Sequence, residues 1–257
     1  MTERALSYGP LTAHRLDYYP AECPDASPLF VFFHGGGLES GDRSNGSDPV
    51  FIELARRGIS VATADYRMYP AARFPDFVTD AARCAAWCKE HLPHRGLVVG
   101  GSSAGGYLSM MLALAGEYLA VWGIDSGDRR QIAGYFCDSG QPTVHFNILR
   151  ERGLDTRLIR VDEAAPLWHV GPVADPDKLP RVALIVADND MENRLEQNRL
   201  LRRTMLHLGW PAEKVPFTLM EGYGHTGYNY AAHADGSLVY PPMIEEFVRA
   251  SCSAAEE

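Results

Sequence analysis

Gly101-Ser102-Ser103-Ala104-Gly105 is the segment of this 257-residue chain in which residue type and spacing point most directly to chemistry. It fits G-x-S-x-G. The apolar run 97–101 precedes it, and Tyr107, Met111, Leu114 and Tyr118 follow at helical spacing. Small residues two places before and after a serine let strand and helix approach closely at a sharp turn, which leaves the hydroxyl exposed. The helix start that follows directs backbone N–H groups towards negative charge. Ser103 is the expected nucleophile, with glycine on both sides. Ser102, in the frame Gly100-x-Ser102-x-Ala104, is the rival. Such a turn could simply join a strand to a helix, but a second segment argues for catalysis. His34-Gly35-Gly36-Gly37 ends the apolar run Leu29–Phe33. Acyl transfer through a tetrahedral intermediate needs N–H donors aimed at the developing oxyanion. A glycine run can turn its amides inward without side-chain clash. Gly36 and Gly37, with Ala104 from the serine turn, are the expected donors. His34 is expected to brace their loop by hydrogen bonding rather than to act as the base.

These segments need a scaffold, and the apolar pattern supplies one. Short blocks at 11–19, Leu29–Phe33, Ser60–Ala64, 97–101, 132–137, 182–187 and 215–220, bounded by Gly, Pro and Asp, read as strands buried on both faces. Between them Phe77, Ala81, Cys84 and Cys88 repeat as one helical stripe after Pro75, and Leu201, Met205 and Leu208 form another, stopped by Gly209 and Pro211. Pro241 and Pro242 open a last helix carrying Ile244, Phe247 and Val248. Strand–helix alternation predicts an α/β fold, a mostly parallel sheet with helices on both faces. Residues 1–257 read as a single domain. The stretch 139–180 breaks the rhythm, exceeding the roughly 12–15 residues of an ordinary connection. It is expected to be a cap-like insertion over the carboxyl edge of the sheet, where such sheets bind ligands.

The combination resembles the α/β-hydrolase superfamily, and within it the hormone-sensitive-lipase-like carboxylesterases. Besides the serine and glycine motifs, Asp65-Tyr-Arg-Met-Tyr-Pro70, Phe74-Pro75 and Asp80 look like that family's Y-R-L-x-P, F-P and D, expected to support the donor loop. Met68-Tyr69 departs from the commonest form, as does Leu38, where an aromatic is frequent. The resemblance is strong over 28–110, returns at two later loops, and leaves the insertion largely unmatched. It implies the order serine, acid, histidine. The family's G-x-x-D pattern aligns Ala187 with the glycine and Asp190 with the acid; Asp188 and Glu192 are the nearest alternatives, and Asp138 a remoter one. The base falls in Glu221-Gly-Tyr-Gly-His225-Thr226, so His225 is expected, with His233 eight residues further on. In the implied mechanism Ser103 attacks the acyl carbon, His225 takes its proton, and Asp190 holds the imidazole.

The remaining features narrow the possibilities. A net charge of −9 repels phosphate backbones, which argues against nucleic-acid partners. The longest apolar runs, Leu29–Phe33 and 182–187, fall far short of the ~20 residues needed to cross a bilayer. The N-terminal stretch lacks the apolar region of a secretory signal. Five cysteines, an odd number with no C-x-x-C pair, read as reduced thiols, so a cytoplasmic location is expected. No His/Cys/carboxylate spacing suits zinc, and the glycine run lacks the G-K-[ST] of a phosphate loop, so neither metal nor cofactor is expected. Within the insertion lie Phe146, Ile148, Leu149, Leu167, Trp168 and His169, and Asp162-Glu-Ala-Ala-Pro166-Leu167 looks like the family's D-x-x-S-P-L turn. Leu38 and Trp168 are expected to line the pocket. An aromatic cover of this kind suits a small acyl or aryl group. The expectation is therefore a serine esterase for short-chain or aryl esters, acetyl above all, acting on a small molecule. A feruloyl esterase or a formamidase is the neighbouring reading. A hydrolase-fold binding protein, a lyase and an acyltransferase are the remoter ones.

Overall fold

Along Leu29-Phe-Val-Phe-Phe33 every residue is buried, and the side chains alternate between two cores: Leu29, Val31 and Phe33 on one face, Phe30 and Phe32 on the other. That period of two is what a central strand covered on both faces requires. In the computed structural model, which describes residues 2–44 and 46–256, the strands are β1 (Glu3–Ser7), β2 (Arg15–Tyr19), β3 (Leu29–Phe33), β4 (Ser60–Ala64), β5 (Leu97–Ser102), β6 (Gly134–Asp138), β7 (Arg181–Asn189) and β8 (Phe217–Gly224). They form one sheet in the order β1-β2-β4-β3-β5-β6-β7-β8. The pairs β1–β2 and β2–β4 are antiparallel; all others are parallel. This is the α/β-hydrolase fold.

The helices are α1 (Asp48–Arg56), α2 (Asp76–His91), α3 (Ala104–Leu114), α4 (Glu117–Ala120), α5 (Phe146–Glu151), α6 (Arg194–His207) and α7 (Tyr240–Glu256). The stripe Phe77, Ala81, Cys84 and Cys88 of α2 joins Tyr107 and Met111 of α3 and Leu201 and Met205 of α6 in one core. Val50, Phe51 and Leu54 of α1 pack with Ile244, Phe247 and Val248 of α7 in the other. Among the described residues no helix is long and apolar enough to cross a membrane.

Three elements differ from the sequence expectation. The strand expected at 11–19 begins only at Arg15, because Leu11 and His14 close a turn through a backbone bond of 3.0 Å. β1 was not anticipated: Glu-Arg-Ala-Leu-Ser is an exposed edge strand whose polar residues carry no core signal. β8 is the opposite edge and is only partly buried, not covered on both faces. The insertion 139–180 behaves as two parts. Its first half carries α5 and lies over the carboxyl edge of the sheet. Its second half runs along α3, where the Tyr107 hydroxyl donates to Ala164 O at 2.9 Å, and returns to the sheet's opposite end, where Arg129 N–H bonds Lys178 O.

Candidate active site

β5 ends at Ser102 and α3 begins at Ala104, so Ser103 carries the whole turn, with φ 57° and ψ −112°. A non-glycine residue in that region is strained and persists only when its surroundings hold it. Here the Ser103 N–H is held by Asp138 O at 2.8 Å and its carbonyl accepts from Tyr107 N–H at 2.9 Å. The helix can start so close to β3 because Gly105 has no side chain: a Cβ there would lie 1.8 Å from Phe33 O. Ser102 is buried, and its hydroxyl accepts from the Asn229 amide at 2.8 Å, inside the protein rather than on the exposed side of the turn.

The side chains expected to act with Ser103 form one hydrogen-bonded row at the carboxyl ends of β5, β7 and β8. His225 Nε2 lies 2.8 Å from Ser103 Oγ, and His225 Nδ1 lies 2.6 Å from Asp190 Oδ1. The Asp190 side chain is 1% exposed and that of His225 25%, so the acid is sealed and the base faces the opening. Burial works against the Asp190 carboxylate, but donors from His225, the Ser139 hydroxyl (2.8 Å) and Met191 N–H (2.7 Å) outweigh it and hold its pKa below the usual range. An ionised Asp190 at Nδ1 leaves Nε2 of a neutral His225 free to accept the serine proton.

The alternatives lie elsewhere. Asp188 accepts from Gly222 N–H at 2.9 Å and stitches β7 to β8. Glu192 is exposed on the rim of a cavity. His233 is exposed in a hairpin, its N–H bonded to Ser237 O. Asp138 is buried, and its partners are Tyr228, Tyr240, Asn229 and Ser102.

On the glycine loop, Gly36 (φ 109°) and Gly37 (φ 65°) use conformations that side chains disfavour. Their carbonyls are engaged away from the serine, Gly36 O by Ser40 N–H at 3.0 Å and Gly37 O by the Asn147 amide at 2.8 Å. Their N–H groups donate to no backbone carbonyl among the described residues. Gly35 abuts the elbow: a Cβ there would lie 3.2 Å from Ser103 Cβ. Ala104 opens α3, directly after Ser103. His34 is buried, stacks on Tyr66 at 4.5 Å, and points Nδ1 at Gly35 O (2.6 Å). Burial holds its pKa below the ordinary histidine value, with the Gly35 contact opposing. Tyr66 in turn donates to His34 O at 2.9 Å, while Arg67 grips buried Asp80 with two bonds of 2.8 Å.

Two pocket assignments need correcting. Leu38 lines no open surface: with φ 66° it is fully buried in the same core as the α2 and α3 stripes. Trp168 lies on a short 3-10 turn, Pro166–His169, pinned by Leu167 N–H to Pro142 O. Leu167 takes the inward direction, and Trp168 is left 61% exposed, next to His169 near Glu117 beyond the far end of α3. A cavity of about 630 Å³ lies between the segment 141–159 and the residues that follow Asp190. Phe146, which would touch a Gly37 Cβ at 3.0 Å, walls one side; Met191, next to Asp190, walls the other, with Leu158, Ile159 and Arg194 between. Arg194 is buried, its guanidinium bonded to Ser139 O and Gln141 Oε1, and desolvation pushes its pKa down to about 10. Sequence reasoning missed Ser139 and Asn147. Ser139 directly follows a strand's carboxyl end, a position that could have marked it. Among the described residues, no three His, Cys, Asp or Glu side chains gather as a metal site would require.

Comparison with known proteins agrees with this architecture. Residues 30–120 match a family model described as alpha/beta hydrolase fold. Esterase LipI of Mycobacterium tuberculosis is 31% identical over 103 residues, 37% of this chain and 32% of LipI. Kynurenine formamidase of Drosophila melanogaster is 26% identical over 222 residues, 81% of this chain and 69% of the formamidase. The chain thus spans about a third of the length of the first relative and about two thirds of the second. Among solved structures, esterase 2 of Thermogutta terrifontis superposes with a TM-score of 0.74 at 22% identity, over 97% of this chain and 94% of that one. A truncated carbohydrate esterase from gut microbiota reaches 0.77 at 16% identity, over 98% and 96%.

Proposed function

We propose that this chain, which has the α/β-hydrolase fold, is a serine hydrolase of short-chain or aryl carboxylic esters. The observation that carries the reading is the unbroken row from Ser103 Oγ through His225 to Asp190, with contacts of 2.8 and 2.6 Å. Ser103 Oγ attacks the acyl carbon as His225 Nε2 takes its proton. The carbonyl oxygen becomes an oxyanion that the N–H groups of Gly36, Gly37 and Ala104 receive. Collapse breaks the acyl–oxygen bond, and the leaving alkoxide takes the proton from His225. Water, deprotonated by His225, then releases the acid and regenerates Ser103. Asp190 keeps the imidazole oriented and stabilises its protonated form. Phe146, set against Gly37 at the glycine loop, would leave room for acetyl and other short acyl groups there.

Formamide hydrolysis is the second reading, favoured by the breadth of the match to the Drosophila formamidase. The same machinery serves, with an amine leaving in place of an alkoxide. The experiment is a substrate panel of p-nitrophenyl acetate, butyrate and octanoate, acetylated sugars, a feruloyl ester and an N-formyl arylamine. The esterase reading expects kcat/KM to be highest on acetyl or butyryl esters. Preference for the formanilide would replace it with the second reading, and octanoate preference would remove the short-chain assignment. In either reading Ser103→Ala should lower kcat by about 10⁴–10⁶-fold.

A further inference from the structure

Behind the row of Ser103, His225 and Asp190 lies a second, fully buried set of polar groups. Asp138, at the end of β6, receives the hydroxyls of Tyr228 (on Oδ1) and Tyr240 (on Oδ2, 2.7 Å), and the Asn229 amide at 3.1 Å. Ser139, with φ 48°, sends its hydroxyl to Asp190 Oδ2 at 2.8 Å and stands 3.1 Å from the Tyr228 hydroxyl. Asp138, Ser139 and Tyr228 are each wholly buried. Burial raises the pKa of Asp138, and hydrogen bonds from Tyr228, Tyr240, Ser102 and Asn229 oppose the rise. Buried carboxylates cost stability unless matched in this way, and hydrophobic residues would fill the space with less loss. The cluster therefore calls for a role other than packing.

Its connections supply one. The three loops that carry the reacting groups come from β5, β7 and β8, and each is tied to the dipeptide Asp138-Ser139. The elbow is tied by Ser103 N–H to Asp138 O at 2.8 Å. The acid loop is tied by Ser139 Oγ to Asp190. The base loop is tied by Tyr228 and Asn229, three and four residues after His225, to the Asp138 carboxylate. Asn229 also holds the Ser102 hydroxyl at 2.8 Å, closing the circuit back to the elbow. We propose that Asp138, Ser139 and Tyr228 are positioning residues that fix the three catalytic loops to the end of β6, so that the spacing of serine, histidine and acid is set from behind the site. Ser139 acts on the Asp190 carboxylate directly; Tyr228 spends its hydroxyl proton on Asp138, the residue next to Ser139, and so ties the base loop to the same dipeptide that holds the acid loop.

This inference rests on the serine-hydrolase reading, and the test separates the two. Steady-state kcat and KM for p-nitrophenyl acetate are measured for Tyr228→Phe, Ser139→Ala and the double variant, with Tyr135→Phe as a structural comparator. Tyr135 lies on the same strand, three residues before Asp138, and its hydroxyl bonds Ser126 O at 3.2 Å, away from the site. Removing one hydrogen bond to a charged group should lower kcat by about ten- to a hundredfold in each single variant, with KM within about twofold. The double variant should lose less than the product of the two single losses, because both act on one circuit. Ser139→Gly relieves the positive φ but lacks the hydroxyl, so it should match Ser139→Ala; recovery of kcat in Ser139→Gly would show strain, not the bond to Asp190, to be responsible, and would overturn the proposal. So would a Tyr228→Phe variant that, like Tyr135→Phe, loses melting temperature with kcat unchanged. Full activity in Ser103→Ala would instead remove the hydrolase reading itself.

Discussion

Residues 29–110 and residues 139–193 meet at the same edge of the sheet but are built on different physical terms. In the first region the backbone itself does the positioning. Gly105 sits where a single added carbon would overlap Phe33 O, Gly36 and Gly37 turn through positive φ, and Tyr66 and His34 brace the loop from below. In the second region side chains do the work: Asn147 reaches Gly37 O, Phe146 walls the cavity, and Leu158, Ile159 and Met191 line it while remaining exposed. A site held by backbone contact tolerates no added atom, whereas a wall of side chains can change with little disturbance to the fold. On the proposed reading the chemistry falls to the first region and the loops fastened to it, and the choice of acyl group to the second.

The largest effect that could break this division is expected at the acid. Asp190→Asn should lower kcat by roughly 10⁴-fold, by analogy with serine-protease triads, with binding little changed. A near-normal rate, with collapse in Asp188→Asn instead, would move the acid to the stitch between β7 and β8. The next effect is on stability. Gly105→Ala forces helix and strand apart and should cost about 3 kcal/mol, a fall in Tm of roughly 6–12 °C. Calorimetry showing no fall would mean that the elbow is softer than its contacts imply.

The second region should respond in specificity. Phe146→Ala opens space beside Gly37, and the butyryl-to-acetyl ratio of kcat/KM should rise about tenfold, since one or two methylenes in such a pocket are worth roughly 10–200-fold. An unchanged ratio would place the acyl group elsewhere. The smallest effect is expected at Trp168, which faces solvent: Trp168→Ala should stay within about 0.5 kcal/mol of the parent in stability and leave the acyl ratio unaltered. A shift in that ratio would bring the turn Pro166–His169 into the pocket after all.

The same division explains what could be read from the sequence. Ser103, Gly36, Gly37 and Ala104 sit in motifs whose constraint is local, because a sharp turn or an inward amide demands particular residues in place. Asp190 and His225 were named through resemblance, each at a strand end, and the structure brings both to Ser103. Leu38 and Trp168 were misplaced because the direction of a side chain depends on contacts far away in sequence: Leu38 is buried in the core, and Leu167 takes the core position that Trp168 then cannot. β1 was missed for want of apolar residues. Ser139 stands at a strand's carboxyl end, which could have marked it, but its contact with Tyr228 spans 89 positions and no local pattern announces that pairing.

On the proposed reading Ser103, and not its neighbour Ser102, carries the acyl group. Reaction with a fluorophosphonate ester, followed by mass mapping of the labelled peptide, tests it most directly. The expected result is one phosphonyl adduct on Ser103, lost in Ser103→Ala and strongly slowed in His225→Ala. An adduct on Ser102, or labelling as fast without His225 as with it, would contradict the account.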